Sequence, residues 1–434
     1  MIHTSGNSEI KRVVAFFISG DIKIFKQKAL QWAQQYSTVA ALDNNQYNNH
    51  LHPKGEFLLA IGSKKEISVS ENCFSSLQKF IEENVGWKFG YISYDVKNEI
   101  EKLHSKNTSQ LNFPLLHFFI PEILIQLKGN EVEISSNEKP EEKIFEEINA
   151  FTLSGNHVSS FPEVNRRMNE NDYLQKVEEV KEFIRQGDVY ELNLCQDFYC
   201  ENYLCNPLQL YFQLNEKSRA PFAAFYKLNN KFLLCASPER FISKEGNKIF
   251  SQPIKGTIKR SEDEEADKNL REKLFNSEKD RAENVMIVDL VRNDLSRSCK
   301  PGTVTVEELF GIYSYPHVHQ MISTVSGELR TEVSATEAIK NAFPMGSMTG
   351  APKIRAMQLI DELENTKRGL FSGTLGYFSP ENNFDFNVVI RSIQYDTANK
   401  YLSFSAGGAI TIDSNAQNEL EEVLLKTEAI RNIL

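Results

Sequence analysis

Strand-length apolar runs dominate this chain, and turn residues punctuate them at short intervals. FAAFYKL (222–228) and KFLLCAS (231–237) are separated only by Asn229-Asn230, a pair that tolerates positive φ, so the spacing predicts a two-residue β-hairpin. ERFISK and KIFSQP extend this meander around Glu245-Gly246-Asn247. A second meander is predicted through SGTLGYFS, FNVVIRSIQY and YLSFSAGGAITID (372–413). Residues 172–186 read as an amphipathic helix, with Asn171 or Asp172 as cap and Gly187 as stop. Residues 278–292 read as another, with Ser277 and Asp280 at capping-box spacing. Val285, Met286, Ile287, Val288, Leu290 and Val291 make that helix apolar nearly all round, which predicts deep burial. A last helix begins near Ser414 and runs to the C-terminus. Meanders with helices between them predict an α+β fold: two large, mostly antiparallel β-sheets packed face to face, with helices on the outside.

The polar stretch SSNEKPEEK (135–143) and the loop-like segment 153–165 mark the clearest compositional break. They separate a strand-rich N-terminal part (1–150) from a motif-dense region (165–434), read together as one intertwined domain. The composition, 41% hydrophobic and 25% charged over 434 residues, is that of an ordinary globular protein. A net charge of −10 argues against nucleic acid or an anionic membrane as the main partner. The run VVAFFIS is too short for a signal core followed by a cleavage site, and His117, Pro121 and Glu122 break FPLLHFFIPEILIQL (113–127). The six cysteines form no CxxC pair, so they are expected to be free thiols in a reducing cytoplasm, without zinc.

Candidate chemistry centres on Lys255 in QPIKGTIKR. Gly256 and Thr257 follow it, so the lysine is expected to enter an open turn, partly desolvated, where it can lose its proton near neutral pH and act as a nucleophile. Glu239 in ASPERF is a candidate proton donor or acceptor. On the last helix Glu419, Glu422 and Lys426 fall within roughly a 60° arc beside the apolar stripe. Glu422 and Lys426 make either a surface pair worth about a few tenths of a kcal/mol or one side of a Mg²⁺ site. Glu283 shares its helix face only with Asp294 and is a candidate second metal ligand, whereas Asp289 and Arg292 can satisfy each other. Arg391, within a β-branched run, must meet an anion, either an internal carboxylate or one on a substrate. GSMTGAPK (346–353) lacks the GK[ST] ending of a phosphate loop.

Taken in order, SPERF, PIKGT, DRAENVMIVDLVRNDLSR, VHQMIS, FPMGSMTGAPKIRAMQLIDELE, GTLGYF, VVIRS and the glutamate-rich last helix resemble the chorismate-utilising enzymes. The resemblance is dense from about residue 165 to 430 and loose before 150, at GWKFGYISYD and STVAALDNN. PIKGT resembles the aminodeoxychorismate-forming branch, whereas the anthranilate-forming branch carries alanine at the position of Lys255; Ser347 and Thr349 lean the same way. The resemblance implies attack of Lys255 on C2 of chorismate, departure of the C4 hydroxyl with help from Glu239, and addition of ammonia at C4 to give 4-amino-4-deoxychorismate. It also implies that Glu283 and Glu422 hold Mg²⁺, with Glu419 supporting through water. Gly256, Thr257, Tyr377, Arg391, Gly407, Gly408, Ala409 and Lys426 would line the substrate site.

Two positions depart from the family pattern. Anthranilate-type members carry histidine where this chain has Gln320, with His319 one step earlier, and the last position of the glycine triplet is Ala409. Some members hold tryptophan in an N-terminal pocket. No cysteine lies in a Gly-x-Cys-x-Gly elbow, so ammonia is expected from a separate glutamine amidotransferase subunit, and the chain has no room for a pyridoxal-dependent lyase. The alternatives are an anthranilate-forming enzyme or a non-catalytic chorismate-binding scaffold.

Overall fold

The computed structural model describes residues 13–47, 56–101, 103–153 and 162–434, so most of the loop expected over 153–165 lies outside the described residues. Its strands form a 12-stranded and a 10-stranded sheet. Every pairing within them is antiparallel. The fold is α+β, and its layering follows from alternation along the strands. In Phe57–Ile61, Phe57, Leu59 and Ile61 face the helices, while Leu58 and Ala60 face the other sheet. Lys231–Ser237 repeats this, with Phe232, Leu234 and Ala236 on one side and Leu233 and Cys235 on the other. Strands buried on both faces read as continuous apolar runs, which is why they stand out in the sequence.

The first meander forms as its turn residues dictate. Leu228 pairs with Lys231 across Asn229, whose φ is +53°, and Arg240–Glu245 pairs with Lys248–Gln252 around Gly246 at φ +58°. The second meander is not one sheet. Thr374–Phe378 and Phe384–Asn387 belong to the smaller sheet, and Ser392–Asp396 and Tyr401–Ile410 to the larger. The chain crosses between them over 388–391, where Arg391 takes φ +48°. FPLLHFFIPEILIQL crosses in the same manner: Leu116–Ile120 pairs in the smaller sheet and Ile123–Lys128 in the larger. Strands from before residue 140 hydrogen-bond to strands from after 220 in the larger sheet, as where Thr38–Asp43 pairs with Phe222–Leu228.

The helices need two corrections. The first runs Glu170–Arg185 with Asn169 as cap, its side chain accepting from Asp172 N, so it starts earlier than periodicity suggested. The helix Glu278–Ser296 does have Ser277 as cap, but it is amphipathic. Ile287, Val288, Val291 and Leu295 are buried, while Val285 is exposed and Asp289 pairs with Arg292 at 3.0 Å in solvent. Counting apolar residues overstated its burial because Val285 and Met286 lie off the packed stripe. All six cysteines are free thiols, and no helix among the described residues is long and apolar enough to cross a membrane.

Candidate active site

Lys255 lies in the strand Ile254–Lys259 rather than in a turn. The register of that strand against Val318–Glu328 slips between Ile254 and Thr257, and Gly256 adopts φ +90°, so Lys255-Gly256 forms a bulge. A bulge re-aims a side chain without ending the strand. Here it brings Lys255 Nζ within 2.8 Å of Glu191 Oε1, at the start of the strand Glu191–Cys200 in the other sheet. The two side chains are 10% and 1% exposed. Burial acts to lower the pKa of Lys255, but Glu191, Glu283 and Glu239 outweigh it and raise the value above the ordinary lysine range. In the resting chain Lys255 is therefore a held ammonium, not the free amine that desolvation alone would give.

Glu239 shows the opposite balance. Burial pushes its carboxyl up to about 7, against the pull of the nearby Ser347 hydroxyl, Lys255, the backbone of Ile254 and Lys426. A buried carboxyl that keeps its proton near neutrality, close to a lysine, is suited to proton donation.

The last helix, Ala416–Arg431, supplies the next layer. Glu419 is buried and accepts from Ser414 Oγ at 2.8 Å; Lys426 donates to Glu422 at 2.6 Å and to Gly407 O at 2.8 Å. A Cβ on Gly407 would fall 2.5 Å from Cys195 Sγ and 2.7 Å from Leu194 O, so only glycine fits there. Across from this helix, Glu283 has Lys279 at 3.8 Å, a basic neighbour that the sequence reading overlooked. Asp294, expected to share its face, is instead bonded to Lys353 at 2.6 Å.

The carboxylates fit a cation. Glu283 is raised by burial and further by Glu191, and Glu419 by burial and further by Glu422, whereas Lys426 outweighs burial at Glu422 and lowers it. Glu191, Glu283, Glu419 and Glu422 thus outnumber the ammonium groups of Lys255, Lys279 and Lys426 that act around them. No cage of three or more such ligands exists among the described residues.

Arg391 reaches this region through its backbone: its carbonyl accepts from Ala236 N at 3.1 Å, and Val388 N donates to Glu239 O at 3.0 Å. Burial lowers the pKa of its guanidinium, and no carboxylate among the described residues pairs with it. Thr257 is exposed, with Gln320 Nε2 at 3.5 Å. His319, on the opposite face of the same strand, is tied to Asp267 and Ser314. Ala409 pairs with Asn193 and is only partly buried, so its Cβ is accommodated.

Tyr377 is not brought to this group. Its ring packs between the sheets against Trp87 at 5.2 Å and Phe89 at 6.0 Å. Conversely, Glu191 was missed. It opens an apolar run with no distinguishing neighbour, and only the fold places it opposite Lys255.

The described geometry, a buried lysine among carboxyls and an unpaired arginine, coincides with a family match. A model of the chorismate binding enzymes matches residues 24–432. The chain belongs to that family. Aminodeoxychorismate synthase component 1 of Klebsiella aerogenes is 37% identical over 350 residues, covering 80% of this chain and 76% of that one. The chloroplastic aminodeoxychorismate synthase of Arabidopsis thaliana is 46% identical over 265 residues, 60% of this chain but only 28% of that protein, so the chain spans less than a third of the plant relative's length. Among solved structures, anthranilate synthase component I from Streptococcus pneumoniae superposes with a TM-score of 0.76 at 26% identity, covering 89% of this chain and 94% of that one.

Proposed function

We propose that this chain aminates chorismate at C4, giving 4-amino-4-deoxychorismate, with ammonia from a separate glutamine amidotransferase subunit. One observation carries the reading: Lys255, held by Glu191 at 2.8 Å, lies near enough to the buried carboxyl of Glu239 for each to act on the other's charge. Lys255 gives up a proton and bonds C2, the ring double bonds shift, and the C4 hydroxyl leaves as water with a proton from Glu239. The proton lost by Lys255 replaces the one that Glu239 gives to the leaving hydroxyl, so Glu239 ends the step protonated.

Arg391 meets a substrate carboxylate, the partner that its half-buried guanidinium lacks among the described residues. Gly256, Thr257, Gly407, Gly408, Ala409 and Lys426 border the ring, and Tyr377 is left out. Glu283 and Glu422 would hold Mg²⁺, with Glu419 supporting through water; the ion would supply positive charge for the ring carboxylate. The six free thiols suit a reducing compartment such as the cytoplasm.

The test incubates the purified chain with chorismate, Mg²⁺ and ammonium at mildly alkaline pH and identifies the product by chromatography and mass. 4-Amino-4-deoxychorismate is expected. Anthranilate would assign the chain to the other branch, and no product even with an amidotransferase added would favour the scaffold.

A further inference from the structure

The strand Glu191–Cys200 has a gap along one edge. Its other edge is covered from Leu192 to Cys200 by Tyr401–Ile410. On the gapped edge, Gly350–Ala351 pairs with Glu191 and Leu192, and Asn165–Arg166 pairs with Phe198 and Tyr199. Between those two short strands a buried ion pair stands in for a strand. Cys195 N donates to Glu364 Oε1 at 3.0 Å, and Asn193 O accepts from Arg368 Nη2 at 2.9 Å. Glu364 and Arg368 follow the helix Lys353–Leu363 and are bonded to each other at 2.6 and 2.9 Å. Their side chains are 5% and 2% exposed.

The same guanidinium also reaches the turn Gly346–Met348. Its Nη1 donates to Met348 O at 2.6 Å and to Ser372 Oγ at 3.3 Å, so all five N–H groups are used. Its plane lies 4.7 Å from the Tyr94 ring centre. Asn193 ties the same two pieces together, its Nδ2 donating to Ser347 O at 3.1 Å and its backbone N to Thr349 O at 2.8 Å. Ser347, in that turn, exerts the strongest pull on the Glu239 carboxyl. A buried ion pair adds little stability over an apolar pair of equal volume, so what arginine offers here is the rigid fork.

We propose that Arg368 is a positioning residue for the reaction: with Glu364 it fixes the strand that begins at Glu191 against the turn that carries Ser347, and so sets Glu239 relative to Lys255. The inference rests on the C4-amination reading above. Arg368 touches none of the reacting atoms; it acts through the backbone of Asn193, Cys195 and Met348. A displacement of about 1 Å transmitted this way is enough to cost about 10²-fold in rate.

The experiment measures steady-state turnover of the full chain with Mg²⁺ and ammonium, varying chorismate. Arg368→Lys keeps a charge opposite Glu364, but one ammonium cannot span Glu364, Asn193 O and Met348 O together. Its kcat should fall about tenfold or more while the KM for chorismate stays within about twofold. Glu364→Gln keeps an acceptor for Cys195 N and loosens the fork, so it should lower kcat in the same way by a smaller factor. A narrow cleft lined by exposed Gln110 and by buried Asp197 and Arg368 gives a small cation a route to the fork's place. Millimolar guanidinium chloride should therefore restore turnover to Arg368→Ala beyond what sodium chloride restores. A kcat within twofold in both Arg368→Lys and Glu364→Gln would overturn the proposal, and so would a rescue no greater than that by sodium chloride. If kcat and KM worsened together, or neither variant folded, the pair would belong to the fold alone and the proposal would fall. The product of the unaltered chain is identified in parallel. Anthranilate there would sink the C4 reading, whereas unchanged kcat in variants of a chain that makes 4-amino-4-deoxychorismate would sink only the role of Arg368.

Discussion

Gly408 stands so close to Glu419 that a Cβ built on it would fall 2.8 Å from Glu419 Oε2 and 3.8 Å from Glu422 Oε1. Glu419 cannot swing aside easily, because it is buried and receives the Ser414 hydroxyl at 2.8 Å. Gly408→Ala should therefore disturb the carboxylates more than the fold. Turnover is expected to drop about tenfold or more, while stability falls by about 1–3 kcal/mol, as for ordinary overpacking. Gly407→Ala should cost more stability, since its Cβ meets backbone at Leu194 O as well as Cys195. Thermal unfolding beside an ammonium-dependent assay separates the two effects.

Glu239 gives a pH signature. Its carboxyl sits at about 7 in the folded chain against about 4.3 in an unfolded one. Between those values the folded state keeps a proton that the unfolded state has lost, so this group makes stability fall as pH rises through that window. Glu239→Gln should flatten the slope of unfolding free energy between about pH 5 and 7 and reduce turnover roughly 10²–10⁴-fold. An unchanged slope would show that the carboxyl is ionised in the folded chain.

Arg391 should behave unlike a structural arginine. With no carboxylate paired to it, Arg391→Met removes a desolvated charge without orphaning a partner. Thermal stability should hold or rise, and the KM for chorismate should climb about tenfold or more. A stability loss with unchanged KM would assign Arg391 to the fold.

Glu283 and Glu419, each raised by burial and further by a neighbouring carboxylate, should be relieved by metal. Mg²⁺ is expected to raise the unfolding temperature of the chain without substrate, and Glu283→Gln or Glu422→Gln should diminish that shift. Differential scanning fluorimetry against Mg²⁺ concentration, with Ca²⁺ alongside, reads this without any turnover. No shift in the unaltered chain would argue against a resident metal site.

What the sequence disclosed and what it hid divide along a physical line. Local signals held: the Asn229-Asn230 hairpin, the Gly246 turn and the Ser277 cap each depend on a few adjacent residues. Signals that depend on which face a residue takes did not. The second meander looked continuous because apolar runs are alike in either sheet, so the crossing at 388–391 left no mark except Arg391 itself. Tyr377 sat beside a glycine motif yet turned toward the intersheet core, and Lys255 looked deprotonated because Glu191, which holds its charge, lies 64 positions away. Charge balance in a pocket is a property of the assembled sheets, and no local window contains it.

The pairing of Thr38–Asp43 with Phe222–Leu228 also sets a schedule for biosynthesis. Asp43 lies about 180 residues ahead of its partner Ala223, so at about 5–20 residues per second the ribosome delivers that partner roughly ten to forty seconds later. Until then the strand can pair with Phe57–Ile61 on one side, but its other edge stays open and apolar. A nascent chain in that interval offers a ready template for strand addition by a neighbour. Output of this protein in a cell should accordingly depend on chaperone supply as well as on the stability of the finished fold.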